Sequence, residues 1–334
     1  MDEMMNLDPS NYANYSKALE ILSNKTALVI GGGGITLCAA TESVDRLVEL
    51  GLRLEKIKSV TGSSAGALIA TIIACRGSSL YIKKKMNSLN YRELADPSCC
   101  LVKGVKLLSK YGLHNRNRLK EIIIEIMLEL LGNADYTFKQ LYELTGTHLT
   151  VTYLSLNYER TMYADHINEP NTLIRKAVVK SCSIPVFYEA NFENRDGMMF
   201  VDVDGGTQNN YPMNVPRVQK IDPIRILGLK LIAPKDMTDI DNGGNEPLIN
   251  IGPPTGIVDY LTRIISILRE QAMRVHVSEN DWKLTVKINV GNYTATSFDL
   301  TREDKMRLAE YGRIAANAYI VELMKLIESG ASFT

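Results

Sequence analysis

The stretch from Thr61 to Cys75 constrains this 334-residue chain more than any other. Ala67-Leu68-Ile69-Ala70-Thr71-Ile72-Ile73-Ala74-Cys75 is apolar nearly all round, as a helix enclosed in a core must be. Before it, Ile57-Lys58-Ser59-Val60-Thr61 is a short β-leaning run. Between the two lies Gly62-Ser63-Ser64-Ala65-Gly66, a G-x-S-x-G pentad. A serine on so sharp a strand-to-helix turn presents its hydroxyl at the positive end of the helix. The flanking glycines are required because a Cβ would clash in the turn. Ser64 is therefore a candidate nucleophile; the alternative is a Gly/Ser turn leading into a buried helix.

A second glycine cluster narrows the choice. The compact apolar run Ala27-Leu28-Val29-Ile30 has the character of a buried parallel strand and leads straight into Gly31-Gly32-Gly33-Gly34. A helix-like segment follows, from about Ala39 to Leu50. Four successive glycines are entropically expensive, so bare backbone must serve a purpose there. A dinucleotide fingerprint starting at Gly31 needs glycine at position 36, which is Thr36, and the Gly-Lys-Ser/Thr ending of a P-loop is absent. An oxyanion hole, in which N–H groups face a carbonyl oxygen as it gains charge, fits better beside a G-x-S-x-G turn. A plain flexible loop is the remaining alternative.

A serine nucleophile needs a proton acceptor. The four histidines are His114, His148, His166 and His276, and none lies in a catalytic motif. The order Ser64, Asp204, His276 would fit a hydrolase triad, but His276 closes a helical pattern instead of lying in a late loop. Asp204 is the better candidate. It ends Phe200-Val201-Asp202-Val203-Asp204, which runs into Gly205-Gly206 and on to Asn209-Asn210-Tyr211-Pro212. An ordinary Asp-Gly turn is the plain alternative. Asp202, two residues earlier on the same strand face, is a lesser rival.

Strand and glycine loop, G-x-S-x-G elbow, and Asp-Gly-Gly turn followed by Asn and Pro occur in the order and at the spacing of the patatin-like phospholipases. The chain resembles that family over about residues 25–216. Lys180-Ser181-Cys182-Ser183-Ile184-Pro185 is similar to its segment just before the Asp-Gly-Gly turn, and Leu141-Tyr142-Glu143-Leu144-Thr145-Gly146 to its middle region. The resemblance implies a Ser–Asp dyad without histidine: Ser64 as nucleophile, Asp204 as base, and Gly32, Gly33 and Gly34 supplying oxyanion N–H groups. A free carboxylate has a pKa of about 4, too low for an efficient base near neutrality, and burial beside the glycine turns is expected to raise it. Asn210 is expected to brace the Asp204 turn. The chain departs from the family's pattern where a basic residue and a glycine usually follow the glycine loop: here stand Thr36 and Leu37.

The resemblance implies hydrolysis of carboxylic esters in phospholipids or acylglycerols, with no metal or organic cofactor. A transacylase, a neutral-lipid lipase, or a non-catalytic lipid-binding or interaction protein on the same fold are the alternatives. Lys plus Arg and Asp plus Glu both number 38, which argues against a nucleic-acid partner bound by bulk charge. The five cysteines, Cys38, Cys75, Cys99, Cys100 and Cys182, have no metal-ligand spacing and are read as buried free thiols. An acidic Met1-Asp2-Glu3 start without an apolar leader, and no run long enough to cross a bilayer, imply a cytoplasmic protein, soluble or peripheral to a membrane.

These readings give an α/β fold: one domain over residues 25–334 with a central, mainly parallel sheet flanked by helices. Residues 1–24 form an arm or short helix packed on it, and 217–334 complete the motif-bearing core. Ile224 to Ile232 is the last clear strand, and Pro234 to Pro254 a loop. Helices over Ile257–Val275 and Thr301–Ser329 close the chain. The first either lies on a membrane surface or packs over the site.

Overall fold

The computed structural model describes residues 9–95, 97, 99–232, 252–295 and 298–331. The first part of the chain alternates helix and strand: α1 (Pro9–Ser23), β1 (Ala27–Ile30), α2 (Leu37–Glu49), β2 (Ser59–Ser63) and α3 (Gly66–Ala74). A mostly helical stretch follows, with α4 (Ser79–Ser88), α5 (Cys100–Lys110), β3 (Gly112–His114), α6 (Asn117–Leu131) and α7 (Phe138–Thr145). The strand-rich part holds β4 (His148–Ser155), β5 (Arg160–Ala164), α8 (Ile174–Ser181), β6 (Val186–Tyr188), β7 (Asn191–Arg195), β8 (Met198–Asp204), α9 (Asn214–Val218) and β9 (Ile226–Ile232). The chain closes with α10 (Ile257–His276), α11 (Glu279–Lys283), β10 (Thr285–Asn289) and α12 (Arg302–Glu328).

The main sheet runs β10-β9-β1-β2-β4-β8-β7, with β5 also paired to β4. The five strands from β10 to β4 are parallel, and β5, β7 and β8 pair antiparallel. The mainly parallel α/β fold expected from the sequence is the fold observed. β10 lies beyond the last strand read from the sequence and forms the edge beside β9.

β1, β2 and β9 are buried along their whole length, as strands covered on both faces by other elements must be. Side chains of β1 alternate between two cores. Leu28 and Ile30 join the large cluster that includes α2, α3 and α12, whereas Ala27 and Val29 meet Tyr211, Met213 and Ile226 on the other face. Burying a Leu or Ile side chain contributes about 1.5–3 kcal/mol, so this layered core holds the sheet rigid beneath the loops at its carboxyl edge. α1 packs against α12, with Ala18 and Leu22 fully buried. Residues 234–251 of the stretch read as a loop lie outside the described residues.

Candidate active site

The register of β4 brings two distant side chains together. Ser63, the last residue of β2, pairs with Thr152; Asp204, the last residue of β8, pairs with Tyr153. Adjacent positions of one strand therefore hold the ends of both others. Ser64 Oγ donates a hydrogen bond to Asp204 Oδ2 at 2.5 Å. The site opens at the carboxyl ends of β1 and β2, where open parallel sheets bind their ligands.

Ser64 has φ +52°, a left-handed conformation that costs a non-glycine residue about 1–3 kcal/mol. The turn enforces it from both sides. A Cβ on Gly62 would lie 2.5 Å from Ala67 Cα, and one on Gly66 would lie 2.4 Å from the Ile30 carbonyl oxygen. The pentad is thus an elbow whose hydroxyl is aimed by backbone packing, with the positive end of α3 directly beyond it.

The end of α8 braces both partners. Ser181 Oγ accepts the Ser64 N–H at 2.9 Å, the Cys182 thiol donates to the Ser64 carbonyl at 3.1 Å, and the Ser183 carbonyl accepts the Asp204 N–H at 2.9 Å. Asp204 Oδ1 accepts the Gly206 N–H at 2.6 Å, which leaves Oδ2 turned to Ser64. Burial, and then the nearby Asp204 carboxylate, push the Cys182 thiol well above its ordinary pKa, so it stays protonated as a donor. The sequence reading did not assign roles to Ser181 or Cys182; their signal is the small-residue run Ser181-Cys182-Ser183 closing a helix.

The glycine loop supplies the opposite wall. A Cβ on Gly32 would lie 2.7 Å from the Ser64 Cβ, so only bare backbone fits beside the serine. The expectation that Gly32 offers its N–H to an oxyanion is corrected here. That N–H donates to the Asn210 carbonyl at 3.0 Å, and the Gly32 carbonyl accepts Asn210 Nδ2 at 3.2 Å. Asn210 therefore clamps the glycine loop, and its Oδ1 also lies beside the Asp204 turn, where a Cβ on Gly206 would come within 2.4 Å of it. Among the described residues the N–H groups of Gly33 and Gly34 have no hydrogen-bond partner. Buried Thr36 donates its hydroxyl to the Gly33 carbonyl at 2.8 Å. A peptide's C=O and N–H point in opposite directions, so this bond fixes where the Gly34 N–H points.

Asp202 has different surroundings. It is fully buried and pairs with Lys180 Nζ at 2.9 Å and with Arg195. Two cations engage it, and its role is an ion cluster. His148 opens β4 opposite Ser59, four positions before Thr152; at about 3.3 Å per residue it stands near the other end of the sheet. His166 packs edge-on to His148, and His114 lies on β3 against Phe187. The His276 side chain lies outside the described residues. Cys38, Cys75 and Cys182 are buried free thiols, as read from the sequence, while Cys99 is exposed.

α10 lies against the Gly205–Thr207 turn that follows Asp204. It also exposes Ile257, Tyr260, Ile267 and Leu268, each at least half exposed. Both readings of this helix have a counterpart: it packs beside the site and presents apolar side chains outward. Among the described residues no helix is long and apolar enough to cross a membrane.

Comparison with known proteins follows the same outline. The family model described as patatin-like phospholipase matches residues 28–216, more than half of the chain. An uncharacterized protein of Acanthamoeba polyphaga mimivirus, R571, is 24% identical over 304 residues, covering 89% of this chain and 94% of its own. Triacylglycerol lipase ptl3 of Schizosaccharomyces pombe is 29% identical over 53% of this chain, and triacylglycerol lipase 4 of Saccharomyces cerevisiae 28% identical over 57%. The matches span 37% and 22% of those two lipases. In fold the chain is similar to VipD from Legionella pneumophila, with TM-score 0.58 and 17% identity over 89% of this chain and 67% of VipD.

Proposed function

The chain belongs to the patatin-like phospholipase family, and from that premise we propose that it is a lipid acyl hydrolase working through Ser64 and Asp204. The observation that carries the reading is the 2.5 Å bond from Ser64 Oγ to Asp204 Oδ2, made by a serine held in a left-handed turn. Ser64 Oγ attacks the acyl carbonyl while its proton passes to Asp204 Oδ2. The carbonyl oxygen, now negative, is met by the N–H groups of Gly33 and Gly34. Collapse of the tetrahedral intermediate breaks the ester bond, and Asp204 gives the proton to the departing alkoxide. Water then attacks the acyl-enzyme, its proton going to Asp204, and the acid product leaves as Ser64 regains its proton.

The substrate in this reading is a carboxylic ester of a phospholipid or an acylglycerol. The family description names phospholipases, and relatives covering about half of the chain are named triacylglycerol lipases. The exposed apolar side chains of α10, beside the Asp204 turn, suit access from a lipid surface. Thr36 accounts for the departure from the family pattern: a neutral hydroxyl orients the loop where the family usually carries a charge.

The test is fatty acid release from mixed phospholipid–detergent micelles and from a triacylglycerol emulsion, wild type beside Ser64→Ala. Release by the wild type alone is expected, and the better of the two lipids names the substrate class. Equal release by both proteins would remove Ser64 from the chemistry. His276→Ala is expected to keep most of the activity; a folded but inactive His276→Ala would replace the dyad with a triad.

A further inference from the structure

Apart from the Ser64 elbow, α6, α8 and the edge strand β7 enclose an open pocket of about 300 Å³. Five cations line it: Arg116 and Lys120 at the start of α6, and Arg175, Lys176 and Lys180 on α8. The acids around it are already engaged. Lys180 pairs with Glu193 and Asp202, and Arg175 with Asp135. Glu189, whose charge reaches Arg116, is held by Lys110 at 3.5 Å.

That leaves Arg116, Lys120 and Lys176, none of which has a salt bridge among the described residues. The Arg116 Nε is buried without a hydrogen-bond partner. Burial depresses the Arg116 pKa, and burial followed by the Arg116 charge depresses that of Lys120. Arg116 carries the buried part of this charge, with an unpartnered Nε that an anion in the pocket would satisfy, and Lys120 and Lys176 stand exposed beside it. A guanidinium fork and two flexible ammonium groups together suit a tetrahedral oxyanion with several acceptor oxygens. Ile124, Val179 and Phe192 add an apolar lining for the organic part of such a ligand.

We propose that this pocket binds a phosphate group, as a site separate from the Ser64 centre. The phosphate is carried either by a lipid headgroup or by a soluble ion or ester. α8 joins the two places: Lys176 and Lys180 line the pocket, and Ser181, the next residue, accepts the Ser64 N–H.

The test uses full-length protein carrying Ser64→Ala, so that no lipid is consumed and the result is independent of the catalytic reading. Flotation is measured with vesicles of phosphatidylcholine, with and without phosphatidic acid. Thermal stability is measured with inorganic phosphate. Arg116→Gln/Lys120→Gln is the test variant, and Arg302→Gln/Lys325→Gln, exposed on α12, is the charge-matched control. If the phosphate is lipid-borne, the parent floats with phosphatidic acid, inorganic phosphate competes, and the test variant alone binds about tenfold or more weakly. If it is soluble, the parent does not float, but inorganic phosphate raises its melting temperature and has no effect on the test variant. Should Arg116→Gln unfold the protein, Lys120→Gln/Lys176→Gln, exposed at both positions, replaces it. Parent-like behaviour of the test variant in both assays, or an equal loss in the α12 control, overturns the proposal.

Discussion

Asp202 and Asp204 stand two residues apart on one strand, and both are buried. Their neighbours differ because α8 ends between them. Lys180 reaches Asp202, with Arg195 on its other side. Ser181 takes the Ser64 N–H, and Ser183 takes the N–H of Asp204. Two cations hold Asp202; the Asp204 oxygens accept from a serine hydroxyl and from a backbone N–H. Residue type and burial thus do not separate a structural acid from a proposed base. What marks the proposed base is the serine hydroxyl that donates to it, a group able to give up a proton.

The largest effect tests the two acids against each other. Asp204→Asn is expected to lower kcat/KM by about 10⁴-fold or more with the fold unchanged by circular dichroism. Asp202→Asn should do the reverse, lowering stability in urea by about 3 kcal/mol because Lys180 and Arg195 lose a buried partner, while the folded protein stays active. Equal losses of activity in the two variants would erase the distinction.

Thr36→Val sharpens the comparison on the opposite wall. Losing the bond to the Gly33 carbonyl frees the Gly33–Gly34 peptide, and kcat should fall about tenfold with KM little changed. Thr36→Ser should restore most of it. An unaffected Thr36→Val would mean that the loop is held without the hydroxyl.

The smallest effect, read per pH unit, extends the contrast to two buried lysines. Lys180 lies among carboxylates, whereas Lys25 donates to the Ile224 and Ile226 carbonyls at 2.9 and 2.8 Å. Burial lowers the Lys25 pKa to about 7, with Asp222 opposing the shift. Its folded value lies below its unfolded one, so between these values the unfolded chain binds more protons and stability rises with pH. The stability of wild type relative to Lys25→Met should therefore improve by about 1 kcal/mol per pH unit between pH 7 and 10. A flat difference across that range would contradict the shift.

The parts of the site legible in the sequence are those with local signals. A strand ending in glycine announces both the Ser64 elbow and the Asp204 turn, although only Gly62 is demanded by a near neighbour, Ala67, while Gly66 and Gly205 are demanded by the backbone of Ile30 and Thr152. The use of the Gly32 N–H was not legible, since it depends on Asn210, 178 positions away. The same holds for Ser181, 117 positions from Ser64. Two features of the fold did carry local signals that went unread. Asp196-Gly197, both at positive φ, is the hairpin turn joining β7 to β8. Leu284, Val286 and Ile288 alternate with Thr285, Lys287 and Asn289 and mark β10 as a strand.

Labelling with a fluorophosphonate, followed by peptide mass spectrometry, tests the central claim most directly. Only a serine whose proton is being drawn away reacts quickly, so the adduct reports activation and not lipid preference. The account predicts an adduct on Ser64 in the wild type and in Asp202→Asn, strongly slowed in Asp204→Asn. Equal labelling rates in Asp202→Asn and Asp204→Asn, or an adduct on another residue, would contradict it.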